Sequence, residues 1–194
     1  MLKGGRMLKL YIEGRELFDE ETSSFYSIKP QTISIEHSLV SISKWESKWH
    51  KPFLKNAHNS NTGISTTEEF IDYVKCMTLT QNVNPLVYAC LSNENINQIA
   101  EYIEDPMTAT TFSDTRPGGS DNSVITAELI YYNMISYGVP MECQKWHLNR
   151  LLALLRVCAI KNSSESGKKM SKSEVMARNR ALNAQRRAKH GTRG

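Results

Sequence analysis

No run of about 18 apolar residues occurs anywhere in this 194-residue chain, so the sequence contains no segment suited to cross a bilayer as a helix. There is also no Cys-x-x-Cys pair. Cys76, Cys90, Cys143 and Cys158 stand far apart, which indicates neither a disulfide framework nor a zinc finger. Each lies among apolar residues and is expected to be a buried, inert thiol. The opening residues Met1 to Met7 lack the apolar core and small-residue cleavage site of a secretory leader, which predicts a protein working in the cytoplasm. Lys3-Gly4-Gly5 is what a purine-rich ribosome-binding site would encode, and it points to Met7 as the start of translation.

Short catalytic signatures are missing as well. The sequence has no Gly-rich phosphate loop, no Gly-x-Ser-x-Gly elbow, no His-Glu-x-x-His and no carboxylate pair marked out by its surroundings. The expectation is a protein that is not an enzyme and needs no cofactor. Cys143 and His147, four residues apart, are the nearest approach to a metal-ligand pair. Without a second pair in the sequence they read as one packed helix face.

The composition, 40% apolar and 23% charged, is that of one globular domain with a tail. Charge is unevenly placed: residues 1–144 carry a net of −7 and residues 145–194 a net of +11. Such polarity describes an acidic body with a basic arm, suited to nucleic acid, to an acidic protein surface or to its own body. The arm, residues 168–194, has a net of +8 and no aromatic residue. It offers phosphate contacts but no platform for stacking bases.

Periodicity predicts an α+β fold, mainly α, in three parts: an N-terminal antiparallel β region (1–37), a helical core (38–161), and a linker with a basic C-terminal helix (162–194). Leu8, Leu10 and Ile12, then Phe25 to Ile28, then Ile33 to Ile35 alternate with a period of two. Ser38 is placed to cap a helix carrying Ile42, Trp45 and Trp49. Residues 55–63 read as an exposed loop. Ser65 with Glu68 and Thr66 with Glu69 offer two overlapping capping boxes before Phe70, Ile71, Val74 and Met77. Asn84-Pro85 starts another helix, and Ile96, Ile99, Ala100 and Ile103 form the stripe of a third. After a loop at 110–122, Val124 to Tyr137 is apolar around its whole circumference. That predicts a buried central helix, paired through Gly138 and Pro140 with a helix running to Lys161. Asn162 to Gly167 reads as a linker.

The candidate partner-binding residues are Trp45, Trp49 and Trp146, because tryptophan is enriched at interface hot spots, together with Lys168, Lys169, Lys172, Arg178, Arg180, Arg186 and Arg187 of the arm. The same pattern at Ile42, Trp45 and Trp49 also suits core packing, more so at Trp45 than at Trp49.

Several segments resemble a group of small proteins of tailed bacteriophages and prophages: residues 35–49 (Ile35-Glu36-His37-Ser38 through Ser47-Lys48-Trp49), 76–80, 125–132, 142–152 (Glu142-Cys143-Gln144-Lys145-Trp146-His147 onward) and 181–187. The likeness covers most of residues 30–194. Proteins of this group look like products of the tail-morphogenesis region, and the nearest functional match is the tail assembly chaperones. The resemblance implies a chaperone that binds the phage tape-measure protein in the host cytoplasm, with a second copy of the chain as a further candidate partner. It brings no catalytic residues. A virion structural component at a head–tail or tail joint, and a nonspecific nucleic-acid-binding protein, are the alternatives.

Overall fold

The computed structural model describes residues 7–19, 23–56, 59–112, 124–166, 176 and 180. The chain divides into two compact units, residues 1–157 and 158–194. The expected α+β class, mainly α with a small N-terminal antiparallel β region, is what the chain adopts.

The first unit begins with one hairpin nested inside another. Strand β1 (Leu8–Ile12) pairs antiparallel with β4 (Gln31–Ile35), and between them β2 (Glu16–Asp19) pairs antiparallel with β3 (Ser24–Ser27). Period-two alternation buries Leu10, Ile12, Ile33 and Ile35 on one face of the β1–β4 ribbon. Both edges of that ribbon have partners. Leu79 N–H donates to the Ser34 carbonyl at 2.8 Å and Glu36 N–H to Met77 at 2.9 Å; the Asn95 amide donates to the Tyr11 carbonyl at 3.0 Å. The two ribbons meet at a bend where a Cβ on Gly14 would run into the Ile28 carbonyl and Pro30. Only glycine lets the backbones approach so closely there.

Helix α1 (Leu39–Trp49) follows. Ser38 caps it with the reciprocal Ser38–Ser41 bonds of a capping box, and His50 ends it in the left-handed conformation ahead of Pro52. Helix α2 (Thr67–Met77) is capped by Thr66, and Glu69 turns its carboxylate back to the Ser65 N–H at 2.7 Å. Asn84 and Pro85 start a 3₁₀ helix, Pro85–Cys90, rather than an α-helix. Helix α3 (Asn93–Glu104) is capped by Ser92. Helix α4 is Ala127–Ser136, a second 3₁₀ helix is Met141–Lys145, and α5 is Leu148–Ser166.

The centre belongs to α1, which packs on both α2 and α4. Leu39, Ile42 and Trp45 are fully buried. Trp45 meets Phe53 edge-on with ring centroids 5.4 Å apart, and Phe53 lies 4.3 Å from the Tyr73 ring.

Four sequence expectations are corrected. Residues 55–63 are not a bare loop, because Leu54–Asn56 (β5) pairs antiparallel with Asn59–Thr62 (β6). This run of Asn and Ser shows no hydrophobic alternation, so its pairing rests on the backbone. Helix α4 is not central: Ala127, Ile130 and Met134 face the core, while Leu129, Tyr132 and Ile135 are exposed. Nor does one helix run from Pro140 to Lys161. Trp146 and His147 interrupt it, and α5 starts where Leu148 N–H donates to the His37 carbonyl at 2.8 Å and the Asn149 amide bonds the Ile103 and Asp105 carbonyls. Finally, α5 continues to Ser166, through residues whose Asn and Ser content reads as linker.

Glu46 ties three segments together. One carboxylate oxygen accepts from Phe53 N–H and the other from Ala127 N–H, each at 2.7 Å. The residue is buried. Burial raises its carboxyl pKa, against the opposing pull of those two bonds. Replacing it with alanine strands two buried N–H groups, each at about 1–3 kcal/mol. Glu46→Ala is therefore expected to lose about 2–4 kcal/mol in urea unfolding, with α4 loosening first in hydrogen exchange. Glu46→Gln retains only one acceptor oxygen and falls between.

Candidate functional site

Three places in the first unit gather residues whose chemistry bears on function. The innermost is a cluster at the junction of β4, α1, α2, α3 and the start of α5. His37 and His147 are both buried, with rings edge-to-face and centroids 5.1 Å apart. His37 Nδ1 and the Tyr73 hydroxyl form a 2.5 Å hydrogen bond, and the His37 backbone N–H donates to the Tyr102 hydroxyl at 3.4 Å. His147 Nε2 donates to the Tyr102 carbonyl at 2.9 Å, which leaves the buried Nδ1 as an acceptor with no partner among the described residues.

Burial, with some repulsion from His147, pushes the His37 pKa down to about 3. Burial lowers His147 too, against the pull of the Tyr102 carbonyl and Asp105. Tyr73 is raised by burial. All of these groups are held neutral and closed off from solvent, which suits a structural lock. Cys143 sits in the 3₁₀ helix and His147 beyond its end, so the two do not share one α-helical face. Among the described residues no group of three or more His, Cys, Asp or Glu is placed to hold a metal ion. Cys90 and Cys143 are buried, as expected, whereas Cys76 and Cys158 are only half-buried.

The second place is the seam between α1 and α2. Trp45, a candidate partner contact by sequence, is completely buried, and its indole N–H donates to the Glu69 carbonyl at 3.0 Å. It is a core residue and offers nothing to a partner. Trp49 is half-buried, with its indole N–H on Asp72 at 3.0 Å beside the Lys48 ammonium at 2.6 Å. Burial alone would raise the Asp72 carboxyl, but those two bonds and the charges of Lys48 and Lys75 outweigh it and hold the pKa below its ordinary value. Lys51 pairs with Glu69 and lies over the Trp45 and Trp49 rings. Trp146 is half-buried under the Arg150 guanidinium, 4.1 Å from its ring centroid. Trp49 and Trp146 both have satisfied local partners.

The third place is the outer side of α4. Leu129, Tyr132 and Ile135, three residues apart on the helix, are 40%, 65% and 69% exposed. Val124 and Met141, just before and after, are exposed as well. Residues 124–144 contain two acids, Glu128 and Glu142, and no Lys or Arg. The result is an exposed apolar strip with acids and no cation near it in sequence, the kind of surface that receives an amphipathic helix. The exposure of Leu129, Tyr132 and Ile135 is not legible in the sequence, because a helix apolar all round reads as buried.

Of the basic arm, Lys168, Lys169, Lys172, Arg178, Arg186 and Arg187 lie outside the described residues; Arg180 is helical and exposed, as is Met176. No helix among the described residues is long and apolar enough to cross a membrane. No protein-family model, curated protein or solved structure matches the chain.

Proposed function

We propose that this chain is a non-enzymatic assembly factor of a tailed bacteriophage, a chaperone that holds the tape-measure protein in the host cytoplasm during tail morphogenesis. The observation that carries the reading is the exposed face of α4. A helix that seats Ala127, Ile130 and Met134 on the core still presents Leu129, Tyr132 and Ile135 to solvent. A tape-measure chain is long and helical, and its apolar heptads need cover until tail protein encloses them. The strip on α4 offers that cover with apolar side chains three apart, which are neighbours on a helix surface. The resemblance to phage tail-region proteins, over most of residues 30–194, supports the same reading.

The basic arm fits as a second, electrostatic contact to an acidic segment of the partner. Its phosphate-binding alternative has no aromatic platform in residues 168–194. Mass spectrometry of purified virions tests the proposal against a structural role. The chain is expected to be abundant in the infected cell and absent from mature particles. Recovery at stoichiometric copy number per virion would make it a structural component instead.

A further inference from the structure

Among the described residues, no third strand pairs with either edge of the ribbon β2–β3. All four residues of β3 are exposed, and Phe25, at 72%, is the most exposed large apolar side chain among the described residues. Its cross-strand partner Phe18 is 54% exposed, and their rings stand 5.0 Å apart. A two-stranded ribbon by itself is marginal in water, and three or more strands are the rule for stability.

The register determines which backbone groups face outward. Ile28 N–H donates to the Arg15 carbonyl at 2.8 Å, just beyond the Glu16–Ser27 pair. Bonded and non-bonded pairs alternate along an antiparallel ladder. Glu16–Ser27 and Phe18–Phe25 are therefore the non-bonded pairs. The N–H and C=O of Phe25 and Ser27 point away from β2, along the free edge of β3.

The two free edges differ in charge. Strand β2 carries Glu16 and Asp19, whereas β3 is Ser-Phe-Tyr-Ser and carries none. Pairing β2 with its own copy would set carboxylates side by side. Pairing β3 with its own copy sets none. A two-fold axis between antiparallel strands keeps each copy's upper face upward, so residues facing one another must have the same parity. Centred on Phe25, that symmetry lets each Phe25 N–H reach the other copy's Phe25 carbonyl. It also extends the Phe18–Phe25 pair into a row of four rings on one face.

We propose that the β3 edge is a self-association surface, where two copies join their β2–β3 ribbons into a four-stranded antiparallel sheet about a two-fold axis at Phe25. The occupant is a second copy because the edge is uncharged and complementary to itself. The acidic β2 edges are left outermost, where charge discourages further addition. Two hydrogen bonds and four rings make a small contact, so the association is weak and concentration-dependent. The inference is independent of the function proposed above.

Sedimentation velocity on the full chain, across low to high micromolar concentration, tests it. A monomer–dimer equilibrium is expected. Phe25→Lys, which sets two ammonium groups against each other at the axis, is expected to weaken it by about tenfold or more, roughly 1.4 kcal/mol. Glu16→Lys, on the opposite edge, is expected to leave it unchanged, and both variants should keep the native thermal melt because both positions are exposed. In air, Phe25→Cys should yield a disulfide-linked dimer and Phe18→Cys none, since residues in a bonded antiparallel pair have Cα atoms about 5.5 Å apart. A chain that stays monomeric throughout overturns the proposal, leaving the edge to a foreign strand. A dimer indifferent to Phe25→Lys but altered by Glu16→Lys overturns it too.

Discussion

Acidification from pH 6.5 to 5 is expected to remove about 2 kcal/mol of stability before most carboxylates titrate, and more as the pH falls towards 3. His37 has its folded pKa near 3 against an ordinary 6.5, and His147 is lowered as well. A histidine whose folded pKa is depressed costs nothing above its unfolded value, where both states are neutral. Below it the unfolded chain takes up a proton that the folded chain refuses. Stability then falls by about 1.4 kcal/mol per pH unit for each such group until the folded pKa is reached. For His37 alone the loss approaches roughly 4 kcal/mol at pH 3, since its ring is packed among Phe53, Tyr73 and His147, with no carboxylate bonded to it among the described residues.

Carboxylates act on the same curve. Glu36 and Glu46 are raised by burial and add stability as they protonate; Glu69, lowered chiefly by its bond from Lys51, and Asp72, lowered by Lys48 and Trp49 against burial, lose it. Between pH 6.5 and 5 the histidines lower stability while the raised Glu36 and Glu46 oppose them, so histidine variants isolate the histidine part. Urea unfolding should show a falling free energy there, and His37→Gln and His147→Gln should each flatten the slope whatever they do to its height. A flat profile in the native chain would contradict the buried, neutral assignment.

The largest single-residue effect is expected at Trp45. It is fully buried between Phe53 and the α2 backbone, and its indole N–H is the donor to the Glu69 carbonyl. Trp45→Ala opens a cavity the size of a bicyclic ring and should lose about 3–5 kcal/mol, enough to leave a domain of ordinary stability marginal. Trp49→Ala removes a half-exposed ring and one bond to Asp72, which keeps Lys48, and about 1 kcal/mol is expected. Circular dichroism through a urea titration separates the two. Equal losses would contradict the placement of Trp45 inside and Trp49 at the boundary.

What was legible in the sequence is what local chemistry decides. Ser38 and Thr66 cap helices because a hydroxyl before an apolar run satisfies the first N–H groups. Leu10, Ile12, Ile33 and Ile35 alternate because one face of their ribbon is buried. The errors lie where position in the fold overrides pattern. Helix α4 carries apolar residues on every side and so reads as central, but α1 takes the centre and α4 the margin. On α3 the apolar stripe suggests Ile96 inside, whereas Asn95 is buried because its amide closes the edge of β1. The β5–β6 pairing leaves no hydrophobic signal. Trp45 and Trp49 share a helical stripe, and the packing of Phe53 and α2 separates their roles.

The proposed function depends on the α4 strip, and co-expression of the chain with the tape-measure protein proposed as its partner tests it most directly. The tape-measure protein alone is expected to be insoluble, and with this chain present it should appear in the soluble fraction and co-purify. A Leu129→Asp, Ile135→Asp double variant changes only exposed side chains. It should fold with an unchanged circular dichroism spectrum and melt, and lose most of that solubilisation. If the double variant keeps the tape-measure protein soluble as well as the native chain does, the α4 face is not the holding surface. If the native chain neither solubilises nor co-purifies with it, the chaperone account is contradicted.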